Sequence, residues 1–289
     1  MRIFTVSEAQ HYCSQFARST GDSEKSIRHF LQKLRGLKHH RVVEGTALFQ
    51  QYRDCSLRDV ERSLFFAASH YRRSLDLMIL SSAPWAHVTL YYGNWHASRA
   101  LLGIFGCTLY GSNSRDFVVV DVGKGFPGQQ ELRLRGIGAG PGQEITTYKG
   151  SHRIFWDLFY KAVQSLQPSV SPYYATALSP IGGNPVWQVL NRNEVNYDSF
   201  VGLRLAEEFD RSFSKNKFPA CLPGVLNTQF QILETLIEIV YSYARGFGLS
   251  TDALDALGTP SSLCNKVRCL IYGKKAPGLV QKTKKAAIT

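Results

Sequence analysis

The sequence predicts a mainly α fold, a helical bundle with a small β insertion and an N-terminal helical extension. Long stretches repeat apolar residues with the 3.6-residue period of amphipathic helices, as in SLRDVERSLFFAASHYRRSLDLMIL and TQFQILETLIEIVYSYARGFG. Residues 116–150 instead contain β-branched runs separated by glycine and proline, which is typical of short strands. We therefore expect an extension over 1–55, a bundle over 56–250 that includes this insertion, and a C-terminal tail over 251–289.

Capping residues predict where the helices begin. We expect three bundle helices to start at a Ser or Asn that is followed closely by Asp or Pro: Ser56 with Asp59, Ser82 with Pro84, and Asn184 with Pro185. In the extension, two short helices are expected over 5–20 and 23–35, followed by an irregular connection. These starts place the expected boundary between extension and bundle at residues 55 and 56.

Charge and cysteine spacing restrict the kinds of ligand. The chain of 289 residues has a net charge of +12 and an isoelectric point near 9.5, which favours an anionic partner such as RNA or a nucleotide. Its six cysteines form no CxxC pair, so we expect neither a zinc site nor any other metal or cofactor. No apolar run reaches the ~20 residues that span a bilayer, and no signal peptide is apparent. We expect a cytoplasmic protein without a membrane partner.

The C-terminal tail is strongly basic. No Asp or Glu follows Asp255, whereas lysines continue almost to the end of the chain, among them Lys274, Lys275, Lys282, Lys284 and Lys285. Such a run is either a solubilising terminus or an arm that contacts phosphates, and the sequence leaves both interpretations open.

The stretch LYYGNWHASRALLGIFG, residues 90–106, predicts a helix that is buried on most of its circumference. At about 100° per residue, six large apolar or aromatic side chains share one broad arc: Leu90, Tyr91, Trp95, Leu101, Leu102 and Phe105. A seam of small side chains suits close packing against another helix: Gly93, Ala97 and Ala100. The narrow remaining sector contains Tyr92, His96, Arg99 and Gly103. Its polar groups either stabilise the bundle through hydrogen bonds or line a phosphate pocket.

Three segments resemble a known family in the same order along the chain. They are YYGNWHASRALLGIFG, YKGSHRIFWDLFYKAV and LNRNEVNY, within residues 57–245, and they are similar to helices of HEPN (higher eukaryotes and prokaryotes nucleotide-binding) domains. The resemblance implies an antiparallel bundle of four or five helices that is often dimeric. It also implies a role in phage defence, a toxin–antitoxin pair, a CRISPR effector or RNA processing.

The ribonuclease motif of that family is incomplete in this chain. Catalytic members carry an Arg, usually a polar residue next, and then a His four to six residues further on. Here Arg192 and Asn193 occupy the matching positions, but no His follows, and Asn196 cannot exchange a proton near neutral pH. Two relocated pairs remain open, His152 with Arg192 and His40 with Arg35.

These observations leave three functions open. The leading interpretation is a diverged HEPN-like protein that binds RNA, a nucleotide, a partner protein or a second copy of itself. The others are a metal-independent endoribonuclease with a relocated His, and a purely structural scaffold subunit. We expect the polar strip to meet Arg192 and Asn196 across the bundle. The candidate binding residues are Tyr92, His96, Arg99, Arg192, Asn196 and Tyr197.

Overall fold

A computed structural model describes residues 3–16, 27, 30, 42–113, 116–124, 129–136, 146–169, 172–175, 177–213 and 224–251. Its α-helices in these residues are α1 Val6–Ser14, α2 Ala47–Ile79, α3 Ala83–Ile104, α4 Ser151–Val163, α5 Pro172–Ala175, α6 Trp187–Tyr197, α7 Ser199–Phe213 and α8 Gly224–Gly246. The strands are β1 Val42–Val43, β2 Cys107–Asn113, β3 Asp116–Lys124 and β4 Gln130–Gly136. The expectation of a mainly α fold with a small sheet is confirmed.

The first bundle helix begins earlier than its apparent capping box. Helix α2 starts at Ala47, and the hydroxyl of Thr46 caps it by accepting a hydrogen bond from the Phe49 backbone N–H at 3.3 Å. The prediction of a cap at Ser56 is wrong because this side chain is buried inside the helix. No Gly or Pro interrupts the residues after Gly45, so helix continues where we expected a connection. The expected boundary at residues 55 and 56 therefore lies within α2.

The other helix starts agree with the sequence only in part. Ser82 occupies the N-cap position of α3 with Pro84 in the first turn, although the Ser82 side chain makes no capping bond. Helix α6 begins at Trp187, later than expected. The Asn184 side chain accepts a hydrogen bond from the Val186 N–H at 3.0 Å, so it stabilises the turn before the helix.

The N-terminal region is only partly described. Helix α1 ends at Ser14 rather than near residue 20, and Thr5 with Glu8 forms its capping box. The helix expected over 23–35 lies mostly outside the described residues, although Ile27 and Phe30 are described and buried in the core.

The β insertion begins earlier along the chain than the sequence indicates. Its first strand begins at Cys107, before residue 116, and all neighbouring strands are antiparallel in the order β1-β4-β3-β2. Strand β1, which we did not expect, joins the edge by pairing Val42 with Leu132. Two residues are too few to produce a periodic pattern, so only the tertiary pairing reveals this strand.

Helix α3 occupies the centre of the bundle. It runs antiparallel to α2, since contacts advance along one helix as they recede along the other: His70 with Gly93, Phe66 with His96, and Val60 with Gly103. It runs parallel to α8, where Asn94 meets Gln229 and Phe105 meets Tyr243. The central helix therefore has one antiparallel and one parallel neighbour, so the expectation of a wholly antiparallel bundle is not met. Within the described residues, no helix combines the length and the apolar composition needed to span a bilayer.

The small-residue seam of α3 allows the close helix packing that the sequence predicts. Gly93, Ala97 and Ala100 are all buried, and a Cβ atom at Gly93 would lie 2.5 Å from the Leu233 side chain. Gly103, on the strip side, is equally tight, because a Cβ there would lie 2.4 Å from Val60 Cγ2. The β-branched valine has little freedom to move away.

Replacing Gly103 with alanine is expected to lower the free energy of unfolding by about 1–3 kcal/mol, the usual cost of overpacking a core. Urea denaturation of wild type and variant measures this difference. Gly246→Ala is the matched control, because a Cβ at that helical position would meet nothing within 4 Å. Equal stability of the Gly103 variant and the wild type would contradict the close packing of α2 and α3.

Candidate functional site

The polar strip of α3 meets α6 at Arg192. Its Nη1 donates a hydrogen bond to the Tyr92 hydroxyl at 3.3 Å, and its guanidinium lies over the Tyr91 ring, 5.0 Å from the centroid. Nε and Nη2 both donate to the Asn193 side-chain oxygen, at 3.2 and 2.6 Å. These bonds fix the cation in one orientation between the two helices. The expected approach of Arg192 to the strip is therefore seen in the structure.

His152 lies on the other side of Tyr91. The Tyr91 hydroxyl is 2.7 Å from His152 Nδ1 and also accepts a hydrogen bond from Trp156 Nε1 at 3.3 Å. Because indole N–H is only a donor, Tyr91 satisfies this arrangement best by donating its own proton to Nδ1. That assigns the remaining ring proton to Nε2. Burial, with the nearby charge of Arg192, lowers the pKa of His152 to about 4, so the ring is neutral near pH 7.

A third group, His70 of α2, completes the site. Its ring stacks on His96 with centroids 5.5 Å apart and planes 13° apart, and it lies 6.2 Å from the Tyr92 ring. Burial followed by the charge of Arg73 lowers the pKa of His70, and burial lowers that of His96 to about 4. We call Tyr91, Tyr92, His96, His152, Arg192 and His70 the aromatic–histidine cluster. We did not expect His70 in the site from the sequence. It lies four residues after Phe66, so the two side chains share one face of α2.

Arg99 has a different environment from Arg192. Its Nη2 lies 2.8 Å from Asp59 Oδ2, and its guanidinium lies over the Trp95 ring, 5.2 Å from the centroid. The positive charge is thus balanced by a carboxylate of the neighbouring helix. Arg99 therefore links α3 to α2. The sequence left open whether the polar strip stabilises the bundle or lines a phosphate pocket, and Arg99 has the stabilising role.

Arg192 lacks such a partner. Among the described residues no carboxylate pairs with it, and its side chain is only partly buried. The bonds to Asn193 and Tyr92 use three of the five N–H donors that a guanidinium carries. A fixed cation with unused donors beside neutral imidazoles is suited to binding an anion.

Two of the candidate binding residues stand apart from the site. Asn196 and Tyr197 are exposed in the last turn of α6, with Tyr197 76% exposed, and neither makes a hydrogen bond to the strip in the described part of the chain. The expectation that Asn196 meets the strip is therefore wrong. Helix α6 ends at the bundle surface, where Val195 alone in that turn is buried.

Other candidates lie outside the described residues. These are Arg35 and His40 of the second relocated pair and the tail lysines 274, 275, 282, 284 and 285. Within the described residues, no group of three or more His, Cys, Asp or Glu side chains is arranged to hold a metal ion.

The site therefore offers a cation without a carboxylate partner in the described residues, aromatic faces and neutral imidazole donors on four helices, α2, α3, α4 and α6. Comparisons of the chain with protein-family models, curated proteins and solved structures found no match.

Proposed function

We propose that this protein is a diverged HEPN-like bundle that binds RNA without cleaving it, through the aromatic–histidine cluster. The observation that carries the proposal is Arg192, a half-buried cation held by Asn193 and Tyr92 and unpaired with any carboxylate in the described residues. An RNA phosphate would accept hydrogen bonds from its unused N–H groups. The net charge of +12 supports the same class of ligand.

The neutral histidines support binding more than catalysis. With a pKa of about 4, His152 is a poor base near pH 7 and lacks the imidazolium form that a general acid needs. Its Nδ1 is also engaged by the Tyr91 hydroxyl. His152 and Arg192 both contact Tyr91, so the relocated pair is close in space. In the proposed function His152 contributes its Nε2–H as a donor to the ligand.

Arg192→Gln is expected to weaken binding of a fluorescein-labelled single-stranded RNA by about tenfold to a hundredfold, as for a lost charge-assisted hydrogen bond. Fluorescence anisotropy between 50 and 200 mM salt should also show a slope of log K against log salt that is smaller by ~0.7, the value for one phosphate contact. Arg211→Gln is the control, since Arg211 is exposed on α7 and pairs with Glu207 at 2.9 Å.

Four outcomes would overturn the proposal. RNA binding that does not depend on salt would contradict a phosphate contact. Undiminished RNA binding by the Arg192→Gln variant would contradict binding at the aromatic–histidine cluster. Cleavage of RNA in EDTA that is lost in Arg192→Gln would establish the ribonuclease instead. A lower melting temperature with unchanged affinity would assign the cluster to bundle stability alone.

A further inference from the structure

The solvent-facing side of α2 carries aromatic and basic side chains in one line. At about 100° per residue, six positions fall within roughly 120° of the helix circumference: Arg62, Phe65, Phe66, Ser69, Arg72 and Arg73. We call this set the α2 stripe. Phe65, Phe66, Arg72 and Arg73 are exposed, and Asp76 ends the line on the same side. From Phe65 to Arg73 the stripe extends ~12 Å along the helix axis.

The two phenyl rings are unusually accessible for their type. Phe65 is 39% and Phe66 47% exposed, with centroids 6.0 Å apart in an edge-to-face arrangement. They form part of the wall of an open cavity of about 460 Å³ that Leu64 and Thr251 also line. Ligand pockets generally have volumes of this order. The cavity thus offers both apolar surface and space for a planar group.

The α2 stripe adjoins the aromatic–histidine cluster. The Phe66 ring lies 5.2 Å from the His96 ring, which in turn stacks on His70. At the other end of the stripe, Arg73 lies three residues after His70 on α2, a spacing that makes the two side chains neighbours on the helix surface. Aromatic faces beside basic side chains, continuous with the site of Arg192, match the chemistry of a nucleic-acid strand.

We propose that the α2 stripe is a base-stacking site for single-stranded RNA, with unpaired bases on Phe65 and Phe66 and phosphates at Arg72 and Arg73. The inference rests on the proposed function, since the same strand would continue to Arg192. It adds that the ligand is single-stranded, because paired bases keep their faces stacked on one another and cannot reach a phenyl ring. A duplex or a free nucleotide would use the Arg192 site without the stripe.

The test compares the double variant Phe65→Ala/Phe66→Ala with wild type in anisotropy titrations. The probes are a fluorescein-labelled decauridine, an RNA hairpin with a blunt labelled stem, and labelled ATP. We expect the double variant to bind decauridine at least about tenfold to a hundredfold more weakly, the range for losing a single stacked base, with little change for the hairpin and ATP. Phe200→Ala is the control, because Phe200 on α7 is also an exposed phenyl, at 64%.

A second variant distinguishes a direct RNA contact at the stripe from an indirect effect of the Phe66 change on His96. Arg72→Gln/Arg73→Gln should reduce the salt slope for decauridine by ~1.4, about 0.7 for each phosphate contact. Unchanged decauridine affinity in the Phe65/Phe66 variant, with affinity still lost in Arg192→Gln, would refute the stripe and leave the proposed function standing. Equal losses for all three probes would also refute it. No RNA binding by wild type would refute both proposals.

Discussion

Trp156→Ala is expected to lower the free energy of unfolding by about 3–5 kcal/mol, the usual range for truncating a large buried aromatic side chain. Trp156 is 0% exposed, and its ring packs edge-to-face on Phe155 and Phe159. The variant also loses the indole N–H that donates to the Tyr91 hydroxyl. Denaturation with urea, followed by circular dichroism, measures the change.

Trp85→Ala is the matched control for this prediction. Trp85 lies in the first turns of α3 and is 61% exposed, so its truncation should change the free energy of unfolding by less than about 1 kcal/mol. Similar losses in the two variants would contradict the packing of α4 against α3. If the Trp156 variant fails to fold, Trp156→Phe keeps most of the ring volume and should give a smaller loss.

Acidification from pH 7.5 to pH 5 is expected to destabilise the protein. Burial lowers the pKa of His87 to about 4, and those of His96 and His152 to about the same value. Above about pH 6.5 these histidines are neutral in both folded and unfolded chains, so stability is complete there. As the pH falls towards 4, the unfolded chain takes up protons that the folded chain does not, and stability is lost. His87 alone should cost about 2 kcal/mol at pH 5.

His87→Leu tests the origin of this pH dependence. The His87 side chain is fully buried, and neither ring nitrogen has a hydrogen-bond partner in the described residues. An apolar replacement removes that unsatisfied group, so we expect equal or greater stability at pH 7.5 and a shallower loss at pH 5. Urea titrations at both pH values give the two differences.

The contrasting variant is His152→Phe. It should lose stability at pH 7.5, because the Tyr91 hydroxyl then loses the bond to Nδ1. A His87 variant whose stability falls between pH 7.5 and 5 as steeply as that of wild type would exclude burial of His87 as a cause.

Helical periodicity predicts the surroundings of α3 well because they depend on spacing along one helix. The small-residue seam of Gly93, Ala97 and Ala100 is buried as expected, and the strip residues Tyr92 and His96 are only partly buried. The meeting of Tyr92 with Arg192 also follows from the pairing of two amphipathic helices. These features need only the period of the helix and the presence of a neighbour.

Features that depend on distant segments were not predictable. His70 enters the site because α2 lies against α3, and nothing in its own sequence distinguishes it from a solvent-facing histidine. The exposure of Asn196 depends on where the last turn of α6 meets the bundle surface. The prediction of a helix start at Ser56 was wrong because the pattern of Ser56 followed by Asp59 lies inside a longer helix. Tertiary burial decides which helix start is used.

The buried amides of Asn94 and Gln229 determine the axial position of α3 relative to α8. Both side chains are fully buried, and Asn94 Nδ2 donates to the Gln229 side-chain oxygen and, at 3.4 Å, to its backbone carbonyl. Apolar contacts alone would tolerate several axial offsets between two such helices, whereas moving one helix by a single turn separates these amides inside a dry interior. One polar contact thereby selects the axial register in which Tyr92 and His96 of α3 lie in the candidate site.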